Sequence, residues 1–447
     1  VWMEWDHPNM PWDGCRLMLA QITESGKLAN VTLIAGSEDE SIFQPEWSPE
    51  GVLYFVSDRS GWWNLYRYRK AEVECIIGKD AEFGRPQWVF GQRTYAFINE
   101  DKIVCTYHEE SAWHLALIHV NESRLQNIPI PSSDYRNLQA NEDHLVCVTG
   151  SPREATAVTR IRLDQFQRHV LQRASEVQID EGYLSTPQAI EFPTENGLTA
   201  HAFYYPPKND DFEAPEDELP PLLVCSHGGP TSMASSTMNL GIQFWTSRGF
   251  AVVDVNYGGS TGYGRAYRER LKGSWGIIDI DDCTNAALYL ARQELADEKR
   301  LAIRGGSAGG YTTLGALTFR EVFAAGASHF GVSDLEALVK ETHKFESRYL
   351  DNLIGPYPED KAIYDQRSPI HHTDRLSCPV ILLQGLEDKI VLPNQAEMMV
   401  DALREKGIPV AYVPFEGEQH GFRQAKNIKR ALESELYFYS RVLKFDL

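Results

Sequence analysis

The six residues Gly305-Gly306-Ser307-Ala308-Gly309-Gly310 stand between a short apolar run, Arg300-Leu301-Ala302-Ile303, and the small-residue stretch Tyr311-Thr312-Thr313-Leu314-Gly315-Ala316-Leu317. The first has the length of a buried strand, and the second suits a helix packed closely on a sheet. Strand, Gly-x-Ser-x-Gly, helix is the context in which a serine is carried on a sharp turn with its hydroxyl exposed at the top of a sheet. Gly305 and Gly309 must then lack side chains, because the turn leaves no room for them. The helix that starts after Ser307 aims its free N–H groups and the positive end of its dipole at that hydroxyl. A plain glycine-rich turn is the competing reading, and correct flanks on both sides argue against it.

A serine hydroxyl cannot attack a carbonyl unaided; it needs a base, and the base needs an acid to orient it. From Leu222 onward, strands and helices alternate, which predicts a mostly parallel sheet covered by helices. The strands are read at Leu222–Cys225, Ala251–Val255, Leu301–Ile303, Ala324–Ala327, Val380–Leu383 and Val410–Pro414. The helices are read at about Asp281–Gln293, Tyr311–Phe319, Asn394–Lys406 and Ala425–Leu443. This is an α/β-hydrolase layout, in which the partners follow the nucleophile in the order acid, then histidine, each in a loop after a late strand. The strand Val380–Leu383 runs into Gln384-Gly385-Leu386-Glu387-Asp388-Lys389, which makes Asp388 the candidate acid, with Glu387 beside it as a chemical alternative. The last strand runs into Phe415-Glu416-Gly417-Glu418-Gln419-His420-Gly421-Phe422, and His420 is the candidate base.

Acyl transfer also needs donors for a developing oxyanion. One is the backbone N–H of Ala308, next after the nucleophile. The other is expected in Ser226-His227-Gly228-Gly229-Pro230, after the first parallel strand, at Gly229, with His227 bracing the loop. The glycine-rich Asn256-Tyr257-Gly258-Gly259-Ser260-Thr261-Gly262-Tyr263-Gly264 lacks the lysine of a phosphate-binding loop and is assigned to the rim of the site. His371-His372 has no companion ligands in sequence, so a structural role is expected and no metal.

The first 180 or so residues have a different character. Tryptophans at 5, 47 and 88 recur 42 and 41 residues apart, with a weaker echo near Leu138. Short runs such as Val52–Val56, Asn64–Tyr68 and Thr94–Ile98 follow them, separated by turns such as Ser57-Asp58-Arg59-Ser60-Gly61. A repeat near 40 residues with four short strands each is the pattern of β-propeller blades, with the tryptophans packing between them. About four blades are expected. That is few for a propeller, and the sequence opens inside or at the edge of a blade, so the propeller is expected to be incomplete, with earlier blades outside this sequence. The expected domains are thus 1–182, propeller, and 183–447, hydrolase. The latter opens on a hairpin around Glu195-Asn196-Gly197.

Composition narrows the partners. A net charge of −20 repels nucleic acid and anionic membranes, so neither is an expected partner. Seven cysteines dispersed without a Cys-x-x-Cys pair read as reduced thiols, and no apolar run approaches membrane-spanning length; a cytoplasmic protein is expected.

The set Gly-Gly-Ser-Ala-Gly-Gly, His-Gly-Gly-Pro, Asn-Tyr-Gly-Gly-Ser-Thr-Gly-Tyr-Gly, Glu-Asp-Lys-Ile-Val and His-Gly-Phe resembles the prolyl oligopeptidase family, most of all its acylaminoacyl-peptidase and bacterial dipeptidyl-peptidase branch. The resemblance covers roughly 187–447. It extends more weakly over the repeats, in Trp-Ser-Pro-Glu-Gly and Ser-Asp-Arg-Ser-Gly-Trp-Trp-Asn-Leu-Tyr. It implies a triad of Ser307, Asp388 and His420, oxyanion binding by Gly229 and Ala308, a propeller that limits access to short peptides, self-association, and no cofactor or metal. Two positions depart from the pattern. Some acylaminoacyl peptidases have an arginine where this chain has Ile390, and prolyl oligopeptidases proper have a tyrosine where it has His227. The expected activity is hydrolysis of short peptides near their amino terminus, blocked or free, through an acyl-enzyme on Ser307. A carboxylesterase using the same triad, and a catalytically silent hydrolase-fold binding protein, are the alternatives.

Overall fold

The turn residues that punctuate residues 1–178 close antiparallel hairpins in the computed structural model, which describes residues 1–376 and 378–447. Four small sheets follow one another along the chain. The first has three strands, Trp2–Glu4, Arg16–Ile22 and Leu28–Gly36. Three four-stranded meanders come next, beginning at Ile42–Trp47, Tyr95–Phe97 and Asp134–Ala140. Strand Ala157–Arg162 alternates buried and exposed along its whole length, as a half-buried strand should. Cys15, Leu17, Ile42, Leu53, Phe55 and Tyr66 form one of the apolar clusters of this propeller-like region. The tryptophan repeat is only partly a packing signal. Trp88 lies 4.6 Å from Trp12 and Trp5 lies 6.3 Å from Phe90, centroid to centroid, but Trp47 is 45% exposed.

The chain divides into two compact units, and the first contains Val1–Gln178 together with Ser235–Met238 and Thr261–Arg268. Within that unit the last segment is held by charge. Arg265 Nη1 lies 2.7 Å and Arg268 Nη2 2.5 Å from Oδ2 of the buried Asp58. Glu82 accepts the N–H of Trp63 at 2.8 Å and of Gly264 at 3.1 Å. Burial pushes the Glu82 carboxyl up to about 7, against the pull of Arg268.

The second unit is built on one eight-stranded sheet: β1 Gln188–Pro193, β2 Thr199–Tyr205, β3 Leu222–Ser226, β4 Ala251–Asn256, β5 Leu301–Gly306, β6 Ala325–His329, β7 Val380–Gly385 and β8 Val410–Phe415. Their order is β1-β2-β4-β3-β5-β6-β7-β8. Pairing is parallel from β4 to β8, and β1 and β2 add antiparallel at one edge. The β1–β2 hairpin turns through Asn196 and Gly197, both at positive φ. The interior parallel strands β3 to β7 are short, mostly apolar runs buried along nearly all their length, as covered parallel sheets require, while the edge strand β8 is only half-buried. Phe203, Trp245, Phe250, Tyr439 and Leu443 pack against one of those faces.

Five helices matter for the site: α1 Leu240–Thr246, α2 Ile278–Arg292, α3 Ala308–Phe319, α4 Asn394–Glu405 and α5 Ala425–Leu443. The last four match the sequence expectation to within three residues at each end. Among the described residues no helix is long and apolar enough to cross a membrane.

Candidate active site

Ser307 sits between the end of β5 and the first residue of α3, at φ 56° and ψ −121°. Few non-glycine residues adopt this conformation, and it persists only where the surroundings enforce it. The enforcement is steric. A Cβ on Gly305 would stand 2.3 Å from the Gly309 carbonyl oxygen, and a Cβ on Gly309 would stand 2.1 Å from that of Ser226. The Ser226 hydroxyl then donates to the Gly309 carbonyl at 2.9 Å, tying the end of β3 to the first turn of α3. Ser307 itself donates its N–H to the His329 carbonyl at 3.0 Å.

Asp388 and His420 come together from loops after adjacent strands. The carbonyl oxygen of Phe415 accepts the N–H of Leu386 at 3.0 Å, and that of Glu418 accepts the N–H of Glu387 at 2.9 Å, so the two loops are laced side by side. Asp388 is buried, and its Oδ1 accepts the N–H groups of Ile390 at 2.8 Å and Val391 at 3.1 Å. Its other oxygen, Oδ2, lies 2.7 Å from Nδ1 of His420. Glu387, the chemical alternative, is exposed. Two residues before His420, the buried Glu418 accepts the N–H groups of Arg423 and Gln424, both at 2.9 Å, and Asn427 Nδ2 at 2.8 Å. It thereby fixes the entry to α5.

The loop after β3 lies against the serine turn: a Cβ on Gly228 would come within 3.5 Å of the Ser307 Cβ. Ala308, at the first position of α3, has an N–H with no partner inside the helix. His227 braces this loop. Its Nε2 is 2.7 Å from the Ser260 hydroxyl, its ring stacks on Tyr257 at 4.3 Å, and the Tyr257 hydroxyl donates to its carbonyl at 2.9 Å. Burial pushes the His227 imidazole down to about 4, so it is neutral in ordinary buffers.

The glycine-rich segment after β4 is divided between the units, with Asn256–Ser260 in the second and Thr261–Gly264 in the first. Gly258 donates its N–H to the buried Asp282 at 2.7 Å. His372 packs edge-on against Phe319, with its Nε2 3.2 Å from the Asp365 carbonyl. No group of three metal-ligating side chains occurs among the described residues.

Comparison with known proteins follows the same outline. The model of the prolyl oligopeptidase family matches residues 236–446. The structure of a puromycin-hydrolyzing peptidase from Mycobacterium tuberculosis is 41% identical, with a TM-score of 0.97 over all of this chain and 68% of that one. The chain belongs to the prolyl oligopeptidase family. Dipeptidyl aminopeptidase BIII of Pseudoxanthomonas mexicana is 32% identical over 56% of this chain and 37% of its own length. The acylamino-acid-releasing enzyme of Arabidopsis thaliana is 31% identical over 45% of this chain and 27% of its own. The matched region therefore spans well under half the length of these curated relatives.

One contact of the site in this family member has no sequence motif. Phe330 places its ring 4.9 Å from that of His420, edge to face. Its only sequence signal is its place directly after an apolar strand.

Proposed function

We propose that this chain is a serine peptidase that cleaves short peptides near their amino terminus through an acyl-enzyme on Ser307, with residues 183–447 carrying the chemistry. The observation that carries the reading is the 2.7 Å contact of Asp388 with His420 Nδ1, on loops that leave the carboxyl ends of parallel strands β7 and β8, the same end of the sheet as the Ser307 turn after β5. With Nδ1–H donated to Asp388, the Nε2 of His420 is the free acceptor, and it takes the Ser307 proton as Oγ attacks the scissile carbonyl. The N–H groups of Gly229 and Ala308 receive the oxyanion, assisted by the positive end of α3. His420 then passes the proton to the leaving amine, and water repeats the sequence on the ester. Asp388 stabilises the imidazolium and does not itself take the proton.

Family relatives named dipeptidyl aminopeptidase, acylamino-acid-releasing enzyme and puromycin-hydrolyzing peptidase support cleavage near an amino terminus. A cytoplasmic location agrees with the dispersed cysteines, all of them unpaired.

The test is a panel of chromogenic substrates: alanyl-alanyl and acetyl-alanyl anilides beside a butyryl ester. The reading expects an anilide to be turned over with kcat/KM at least comparable to the ester. A wide preference for the ester, with both anilides untouched, would replace it with an esterase.

A further inference from the structure

His329 and Phe330, the last residue of β6 and the one after it, touch both sides of the site. The His329 carbonyl accepts the Ser307 N–H at 3.0 Å. Phe330 donates its own N–H to the Leu383 carbonyl of β7 at 2.7 Å, on the strand that leads to Asp388. Its ring lies between two parts of the site. A Cβ on Gly306 would stand 3.0 Å from the ring, while on the other side the His420 imidazole is 4.9 Å away and inclined at 62°. Phe422 closes the third side at 5.5 Å.

This placement requires an unfavourable backbone. Phe330 has φ +39°, in the left-handed region that a bulky residue rarely enters, and such strain persists only where neighbours over-determine it. The anchor is on the preceding residue. The His329 Nε2 lies 3.0 Å from Oε2 of Glu435, a carboxylate of α5 with no exposure. Arg304 of β5 sets its Nε 2.9 Å from Oε1 and its Nη2 3.2 Å from Oε2 of the same carboxylate, and Tyr439 donates to Oε1 at 3.1 Å. The His329 ring, on the residue directly before Phe330, is thus held by a buried ionic cluster that spans β5, β6 and α5.

We propose that Phe330 is a positioning residue that sets the distance and ring orientation of His420 relative to Ser307, held in its strained conformation by the Glu435–His329 anchor. This rests on the assignment of Ser307 and His420 as nucleophile and base. It gives a reason for a strained aromatic residue at this place, since an edge-on ring restrains an imidazole without competing for its proton.

The test uses inactivation by a fluorophosphonate, which needs an activated serine but no peptide recognition, and reads kinact and KI separately. Phe330→Leu keeps apolar bulk; Phe330→Gly accepts the backbone angle without strain and provides a second folded variant; Phe330→Tyr restores the ring. Both ring-deleting variants are expected to lose about tenfold or more in kinact, with KI within about threefold, and Phe330→Tyr to recover most of the loss. A loss of less than about fivefold in kinact, a loss confined to KI, or no recovery with tyrosine overturns the proposal. If the unmutated chain is not labelled at Ser307, the underlying assignment fails and this proposal with it. Labelled unmutated protein with unaffected variants overturns this proposal alone.

Discussion

The Oδ2 atom of Asp388 lies 2.7 Å from Nδ1 of His420, while its Oδ1 is occupied by two backbone N–H groups. One carboxylate oxygen is thus committed to the loop and the other to the imidazole. Asp388→Asn should preserve the fold yet present the wrong partner to Nδ1. We expect kcat/KM to fall by roughly three to four orders of magnitude with little change in melting temperature. Glu387→Gln, at an exposed position, should stay within about twofold of the unmutated chain. Steady-state kinetics on both variants check the assignment, and an inverted result would exchange the roles of the two acids.

Gly309 is fixed by space, since a Cβ there would stand 2.1 Å from the Ser226 carbonyl oxygen. Gly309→Ala should cost about 2–3 kcal/mol of stability and displace the Ser307 turn. Thermal melting and probe labelling should fall together. A variant that melts normally and labels normally would contradict the steric account.

His227 is neutral above its lowered pKa of about 4, because burial disfavours its charged form. It should therefore contribute nothing to the pH dependence of turnover between pH 5 and 8. His227→Gln is expected to lower kcat by loosening the loop that carries Gly229, while the acid limb of the kcat/KM profile keeps its midpoint. A displaced midpoint would show that His227 titrates in the reaction.

Asp254 on β4 has its carboxyl pushed up to about 7 by burial, with Arg304 opposing the shift. The folded protein therefore holds this proton more tightly than the unfolded chain does. The resulting stabilisation is complete below the ordinary aspartate value of about 3.9 and is lost as pH rises through about 7. Asp254→Asn removes the dependence. Its melting temperature relative to the unmutated chain should rise between pH 5 and pH 8, as read by scanning fluorimetry. A difference that is flat or falls with pH would contradict the burial argument.

The site was legible where a local pattern imposes geometry. Gly305 and Gly309 bracket Ser307 because the turn admits no side chains, and Asp388 and His420 follow apolar strands that any reader can mark. Strand limits from Leu222 onward and the limits of α2 to α5 were legible for the same reason, whereas α1 and the short helices Leu335–Glu341, Tyr349–Leu353 and Lys361–Arg367 were not. Contacts made across the sheet were not. Nothing near Phe330 in the sequence announces His420, ninety residues away, and Glu435 meets Arg304 only after α5 folds back onto β5. The grouping of Thr261–Arg268 with the first unit depends on Asp58 and Glu82, two hundred residues earlier, and local composition carries no trace of it. The tryptophan period gave the number of small sheets, but not the exposure of Trp47, which is set by its neighbours in space.

An activated serine at position 307 is read out by mass spectrometry after treatment with a fluorophosphonate. A single adduct is expected on the peptide containing Ser307, abolished in Ser307→Ala together with peptide hydrolysis. No adduct, an adduct on another serine, or full hydrolysis by Ser307→Ala would contradict it.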